Sequence, residues 1–252
     1  MTGTTVGSAG CYVYGLVRDD GTPLPDITGI GRSRLQLVRA NDGDIAAVVS
    51  DAGALGERVR RADLLAHADV LQALVGERDV VPIRFGSVYR SDDDLCRGLL
   101  SGRLHDLFAN IEGKIEAQVK VAYEEDAIVA EIVAADRRVR KMRDVTRSLP
   151  ADRGAQIELG RRFAAALDGQ RARDTQLIAR RLGRVSETVT VSPGSGEFGV
   201  AKIACLTSRK KLTQLDEAID GLAREHSGRL KLAVLCPLPP YSFVAGSLAE
   251  AG

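Results

Sequence analysis

Ile115, Ala117, Val119, Val121 and Tyr123 alternate with Lys114, Glu116, Gln118, Lys120 and Glu124. A period of two over ten residues cannot wrap onto one face of a helix, whose period is 3.6. It predicts a strand with one face buried and the other wet, in a sheet covered on one side. Any architecture for the chain must contain that sheet and supply something to cover it.

The residues before it mix the two periods. Cys11–Val17 (CYVYGLV) is rich in β-formers and stops at Arg18-Asp-Asp-Gly-Thr-Pro23, a dense turn signal. Leu35–Ala40 and Asp44–Ser50 are apolar runs flanking Asn41-Asp42-Gly43, residues that tolerate the positive φ of a tight turn, and they predict a β-hairpin. From Glu57 the spacing turns helical, with Leu64, Ala68, Leu71, Leu74 and Val75 on one face and Gly76 at the end. Val80–Tyr89 alternates again, placing Val81, Ile83 and Phe85 on one side and Pro82, Arg84 and Gly86 on the other. Pro82 lacks an N–H for the ladder, so it belongs at a strand start, an edge or a bulge. Ser91-Asp-Asp-Asp94 places acids where a helix macrodipole favours them, and Leu95, Leu99, Leu107 and Ile111 supply that helix's stripe, interrupted by Gly102.

After residue 124 the pattern changes. Asp126–Arg147 and Asp152–Arg184 are rich in Ala, Leu and Arg and meet at Ser148-Leu-Pro150, which reads as a helical hairpin. Strands follow over Arg184–Val191 and Val200–Thr207, then a helix with Leu212, Leu215, Ile219 and Leu222, then a strand carrying Leu230, Leu232, Val234 and Cys236. The expected fold class is α+β in two units. The first is a modified ferredoxin-like domain over 11–124. The second is a helical hairpin over 125–184 with a small α+β sheet domain over 185–244, and tails occupy 1–10 and 245–252.

Composition excludes several functions. The net charge of +1 gives no global pull toward nucleic acid or anionic lipid. No apolar run reaches the roughly 18 residues of a membrane helix, and Met1–Gly10 lacks the basic and apolar regions of a signal peptide, so a cytoplasmic protein is expected. Cys11, Cys96, Cys205 and Cys236 are scattered, as are His67, His105 and His226, without the paired spacing of a zinc site. The cysteines read as small buried hydrophobes. No metal, cofactor or catalytic cluster is expected.

The motifs that remain are few. Gly194-Ser-Gly-Glu-Phe-Gly199 matches a dinucleotide fingerprint, but a strand rather than a helix follows it, so a hairpin turn is expected. Residues 137–184 hold fourteen Arg or Lys against five acids. Helices this basic suit phosphates or an acidic partner, and they carry the alternative function, a nucleic-acid-binding module. A single aromatic, Phe163, lies among them, so a protein-facing or solvated role is preferred. His67, on the apolar face of its helix, reads as a core or interface histidine rather than a catalyst. Pro237-Leu-Pro-Pro-Tyr-Ser-Phe243 holds the chain extended and preorders Tyr241 and Phe243, either as a strap on its own domain or as a docking strip.

Six stretches together carry a resemblance: Tyr12–Val17, Gly43–Ser50, His67–Leu71, Val81–Tyr89, Glu112–Val121 and Pro239-Pro-Tyr-Ser-Phe-Val244. In this order they resemble the gas-vesicle synthesis proteins of the GvpL/GvpF type. Cys236-Pro-Leu-Pro239 departs from that pattern, which has a glycine first and a tryptophan between the prolines. The resemblance implies a non-enzymatic accessory or minor structural protein associated with the gas vesicle, whose partners are the major shell protein and other gas vesicle accessory proteins. Pro82, Arg84, Phe85, Tyr241 and Phe243 are the candidate partner-binding residues.

Overall fold

A computed structural model describes residues 10–39, 44–55, 58–99, 104–148 and 153–244. The chain divides into two compact units. One holds the residues up to Ala117 together with those from Cys236 onward, and the other is Gln118–Leu235. The expectation assigned 185–244 to one C-terminal domain. The closing segment instead belongs with the N-terminal unit, because its side chains are hydrogen-bonded there, as described below.

The N-terminal unit is built on an antiparallel sheet. Its strands are β1 (Cys11–Arg18), β2 (Gln36–Arg39), β3 (Ile45–Asp51), β4 (Val80–Pro82) and the short β5 (Val88–Tyr89). They lie in the order β2-β3-β1-β4, with β5 also paired to β1. Helix α1 (Arg61–Glu77) carries the chain from β3 to β4, on either side of β1. This is the ferredoxin-like strand order with one helix gone. The first crossover, between β1 and β2, holds only the 3-10 turn Ile30–Arg32. The β2–β3 hairpin is present, pairing Arg39 with Ala46, while its Asn41-Asp42-Gly43 turn lies outside the described residues.

Central strand β1 is buried along its first seven residues, as a strand with neighbours on both sides and layers above and below must be. Its register slips between Val13 and Gly15, a β-bulge. A Cβ on Gly15 would lie 2.9 Å from a Val80 methyl and 3.1 Å from a Leu71 methyl, so this glycine sets how closely α1 and β4 approach. One face of the sheet packs Val13, Leu16, Val49 and Val81 against Leu95 and Leu99, Phe108 and Ile111. The expected single helix over these last residues is two, α2 (Asp92–Gly98), capped by Ser91 Oγ on the Asp94 N–H, and α3 (Leu104–Ile111); Gly102 lies outside the described residues.

Two further expectations change. The buried face of α1 is Asp63, His67, Val70, Leu71, Leu74 and Val75, whereas Leu64 is 47% exposed. Asp63 folds back onto the Arg60 N–H (2.9 Å) and guanidinium and so joins the buried side. The Val80–Tyr89 strand is broken into β4 and β5 by a turn in which Ser87 bonds the Arg84 carbonyl and Gly86 takes φ +89°. Phe85 therefore leaves the side of Val81 and Ile83 and packs on Tyr12 and His67.

The second unit contains most of β6 (Lys114–Tyr123), then α4 (Glu125–Ala135), α5 (Arg137–Ser148), α6 (Arg153–Gly183), β7 (Thr188–Pro193), β8 (Gly199–Ser208), α7 (Leu212–Glu225) and β9 (Leu230–Leu238). Its sheet has the order β7-β8-β6-β9. The first arm of the expected helical hairpin is divided at Asp136, whose extended backbone ends α4 and whose carboxylate accepts the Arg138 and Val139 N–H groups, capping α5. The β7–β8 hairpin replaces any nucleotide loop. Added Cβ atoms on Gly194 and Gly199 would meet the opposing backbone at 2.5 and 2.3 Å, so closeness within a tight turn explains these glycines. Cys11 and Cys205 are buried as expected, but Cys96 is only partly so and Cys236 is exposed.

A polar cluster holds this unit's layers together. Buried Asp174 of α6 accepts from Tyr123 Oη at 2.6 Å and from Arg229 Nη2 at 2.8 Å, and Arg229 Nε also reaches Glu131 at 2.6 Å. The guanidinium lies over the Tyr123 ring, 5.5 Å from its centre. Burial and the Asp174 carboxylate push the Tyr123 hydroxyl far above its ordinary range, so it stays a donor. Asp174→Ala strands the buried Tyr123 hydroxyl and removes one of the two acids that Arg229 pairs with, and an unfolding free energy lower by about 2 kcal/mol in urea titration is expected.

Candidate functional site

The residues singled out from the sequence meet around His67 in the N-terminal unit. The helical spacing of α1 points His67 at β1 and the β4–β5 turn. There Tyr12 stands edge-on (5.7 Å between ring centres), Tyr14 stacks at 5.5 Å and Phe85 stands edge-on at 5.6 Å. His67 Nδ1 lies 2.8 Å from Tyr12 Oη, and Nε2 lies 3.0 Å from Tyr241 Oη. Tyr241 Oη donates to the Ile83 carbonyl at 3.1 Å, and Tyr12 Oη accepts the Gly86 N–H at 3.1 Å.

These contacts fix every proton. Tyr241 has one hydroxyl hydrogen and gives it to Ile83, so it accepts from His67, which must carry its proton on Nε2. Nδ1 is then an acceptor and takes the Tyr12 hydroxyl hydrogen. A directed chain runs Gly86 N–H to Tyr12 O–H to His67 to Tyr241 O–H to the Ile83 carbonyl, and it closes only around a neutral imidazole. Burial pushes the His67 pKa down to about 4, with the Ile83 carbonyl opposing, and burial pushes Tyr12 up to about 12. Neither tyrosine nor histidine carries a charge at neutral pH.

The closing Pro-rich segment is the strap that this chain receives. Besides Tyr241, Ser242 gives both its backbone N–H and its hydroxyl to Glu116, each at 2.8 Å. The Pro237 carbonyl accepts from Gln72 at 2.9 Å. Glu116 was expected on the wet face of β6. It is instead 3% exposed, because the segment from Pro239 covers it, and burial holds its carboxyl above the ordinary range. Simple alternation cannot identify a solvent-side acid that a distant segment later covers.

The five candidate residues separate in their roles. Pro82 is buried opposite Gly15 at the end of edge strand β4. Phe85 is half-buried against His67. Tyr241 is anchored by its hydroxyl with 36% of the residue exposed, and Phe243 is half-buried two residues on. Arg84 is exposed and makes no ion pair among the described residues. Sequence reading missed Tyr12, Glu116, Ser242 and the Ile83 carbonyl. The polar atoms of Tyr12 and Glu116, placed inside apolar or alternating runs, were the available signal.

Many cations of 137–184 are tied to the unit's own acceptors. Arg140 binds the Val133 and Ala134 carbonyls at the end of α4, Arg162 binds Asp136, Arg171 binds the Gly199 and Glu197 carbonyls, and Arg181 binds Glu225. No cluster of three His, Cys, Asp or Glu side chains able to hold a metal occurs among the described residues, and no helix there is long and apolar enough to cross a membrane.

Fold and site together define an α+β protein of two units whose N-terminal sheet, of ferredoxin-like order, is strapped by an aromatic segment from the far end of the chain. The family model for "Gas vesicle synthesis protein GvpL/GvpF" matches residues 10–245, and the chain belongs to that family. Gas vesicle protein F of Streptomyces sp. (strain CB03234) is 33% identical over 237 residues, 92% of this chain and 98% of the relative. That of Nostoc sp. is 22% identical over 94% of this chain and 98% of the relative. Among solved structures, GvpF from Anabaena sp. PCC7120 matches with a TM-score of 0.80 at 20% identity, covering 94% of this chain and 98% of that one. GvpF from Microcystis aeruginosa matches at 0.72 and 18% identity, covering 93% and 98%. The role of the chain is thus connected with gas vesicles.

The depressed His67 pKa carries a signed prediction. The unfolded histidine binds a proton at pH values where the folded one does not, so folding is penalised as pH falls from 6.5 toward 4. Buried Glu116 acts oppositely, since its raised pKa favours the folded state at low pH and that gain is lost as pH rises. Comparison with His67→Gln, which does not titrate, isolates the histidine. The native chain is expected to lose about 3 kcal/mol more than the variant between pH 7 and 4, read by urea unfolding at each pH.

Proposed function

We propose that the chain is a non-enzymatic accessory protein of gas vesicle assembly, which holds the major shell protein and other accessory proteins on one surface of its N-terminal unit. The observation that carries this reading is a set of partly exposed apolar groups and one cation beside the hydrogen-bonded centre at His67. The hydrogen bonds around His67 hold the Tyr241 ring and the Ile83 carbonyl, Phe85 packs on the His67 ring, and Arg84 and Phe243 adjoin these residues in the chain. Leu64, exposed on α1, lies one helical turn before His67 and extends the strip. A prearranged apolar surface binds an apolar subunit without the entropy cost of ordering itself first. Arg84, exposed and without an ion pair among the described residues, offers a carboxylate partner a bidentate contact. The family membership supports the gas vesicle shell as the setting. The nucleic-acid reading of 137–184 has weaker support, because internal acceptors occupy Arg140, Arg162, Arg171 and Arg181.

Co-expression of the tagged chain with the major shell protein, followed by capture, tests the proposal. Arg84→Glu with Leu64→Ser is expected to reduce captured shell protein about tenfold while leaving the thermal midpoint unchanged, since both side chains are exposed. Undiminished capture by the folded double variant would exclude this surface. Failure of the unaltered chain to capture shell protein at all would overturn the function itself.

A further inference from the structure

The first unit's sheet has two edges, and they are finished differently. β4 is three residues long, ends in Pro82 and is followed at once by a turn. β2, at the other edge, carries no proline and, among the described residues, no covering strand. An uncovered edge presents backbone donors and acceptors to any extended chain.

That bare edge opens into a groove. A cavity of 800 Å³ follows it, lined by all the residues from Arg34 to Arg39. Its walls are the Pro23–Ile27 part of the first crossover on one side and Asp92, Asp93 and Cys96 of α2 on the other. The missing crossover helix is what leaves this space, since only the 3-10 turn at Ile30 lies in that connection. The Cys96 thiol donates to the Arg39 carbonyl (3.5 Å) and closes one end. Four residues of edge extend about 13 Å, enough for a short stretch of an incoming strand.

The charges select what enters. Arg39 is neutralised by its pair with Asp19. Among the described residues, Arg34 is then the one unpaired cation in a lining that holds Asp26, Asp92 and Asp93, a net negative groove. Asp92 Oδ1 is buried with no hydrogen-bond partner among the described residues, and burial together with neighbouring Asp93 holds its carboxyl above the ordinary range. A cation beside it would supply the missing partner.

We propose that the β2 edge is a second binding site, which takes an extended segment of a partner polypeptide by strand addition and reads a lysine or arginine of that segment with Asp92 and Asp93. Main-chain pairing to Gln36–Val38 supplies the affinity, and the acidic wall supplies the choice of side chain. The site is separate from the Arg84–Tyr241 strip and does not depend on it.

Selection of a random octapeptide library on the full-length chain at physiological salt, followed by amide mapping in solution, tests the idea. Selected peptides are expected to share one Lys or Arg and to shift the amides of Leu35–Arg39 and Asp92–Cys96. Methylating alternate peptide nitrogens, which removes ladder donors without altering the protein, should abolish binding. Asp93→Asn, at an exposed position, should weaken it about fivefold. Binding that survives N-methylation, peptides without a basic preference, shifts located elsewhere, or an empty selection would each overturn the proposal. So would self-association of the chain through β2, read as a mass that rises with concentration.

Discussion

An imidazole flanked by two phenols has a single neutral solution here, and the architecture of the N-terminal unit is arranged around it. Tyr241 must donate to Ile83, so His67 must donate to Tyr241, so Tyr12 must donate to His67, and the Gly86 N–H completes the sequence. Four separate parts of the chain meet in those contacts: strand β1, helix α1, the turn between β4 and β5, and the closing segment. Each polar atom would cost free energy if buried unpaired, so the network favours one arrangement over neighbouring ones more strongly than apolar packing alone would. Glu116 and Ser242 add a second anchor for the same segment, with a carboxylate receiving two donors from one residue.

Local patterning made much of this fold legible. β6, β1, the β2–β3 hairpin and α7 follow from periodicity because each buries a face over many residues. The failures have a common cause, a local rule overridden by a distant or single-residue event. Phe85 left the side its alternation assigned because Arg84–Ser87 forms a turn, and turns of that kind depend on one glycine taking positive φ. Asp136 divided a helix because a short acid after α4 competes as an N-cap for α5. Leu64 turned outward because Asp63 is drawn in by Arg60. The lone histidine on an apolar face suggests backbone partners; His67 is buried, but its partners are the Tyr12 and Tyr241 hydroxyls, 55 and 174 residues away in sequence. Nothing in the spacing of one helix reports them.

The use of charge differs between the two units. In the first, the polar groups that meet around His67 are uncharged, and burial keeps them so. In the second, Asp174, Glu131 and Arg229 form a partly buried ionic cluster with Tyr123, and the arginines of α5 and α6 are largely spread over helix ends, turn carbonyls and acids. This explains why a segment with nine excess positive charges need not act as a phosphate surface. An arginine that caps the carbonyls at the end of α4 has its donors occupied and its position fixed by the fold.

The treatment of sheet edges connects the fold to its setting. On the proposed function the chain meets strongly apolar subunits and risks pairing indiscriminately with them, so its exposed backbone must be either blunted or put to use. β4 is short and stopped by Pro82, and β7 interleaves Thr188, Thr190 and Ser192 with its valines before Pro193. β2 has neither device. In place of a blocking residue it has a walled groove with an acidic side, and such walls restrict which strand can reach the edge. Loss of the first crossover helix from the ferredoxin-like plan thus converts a covered region of the sheet into a selective one, while the strap around His67 keeps the opposite region closed and rigid.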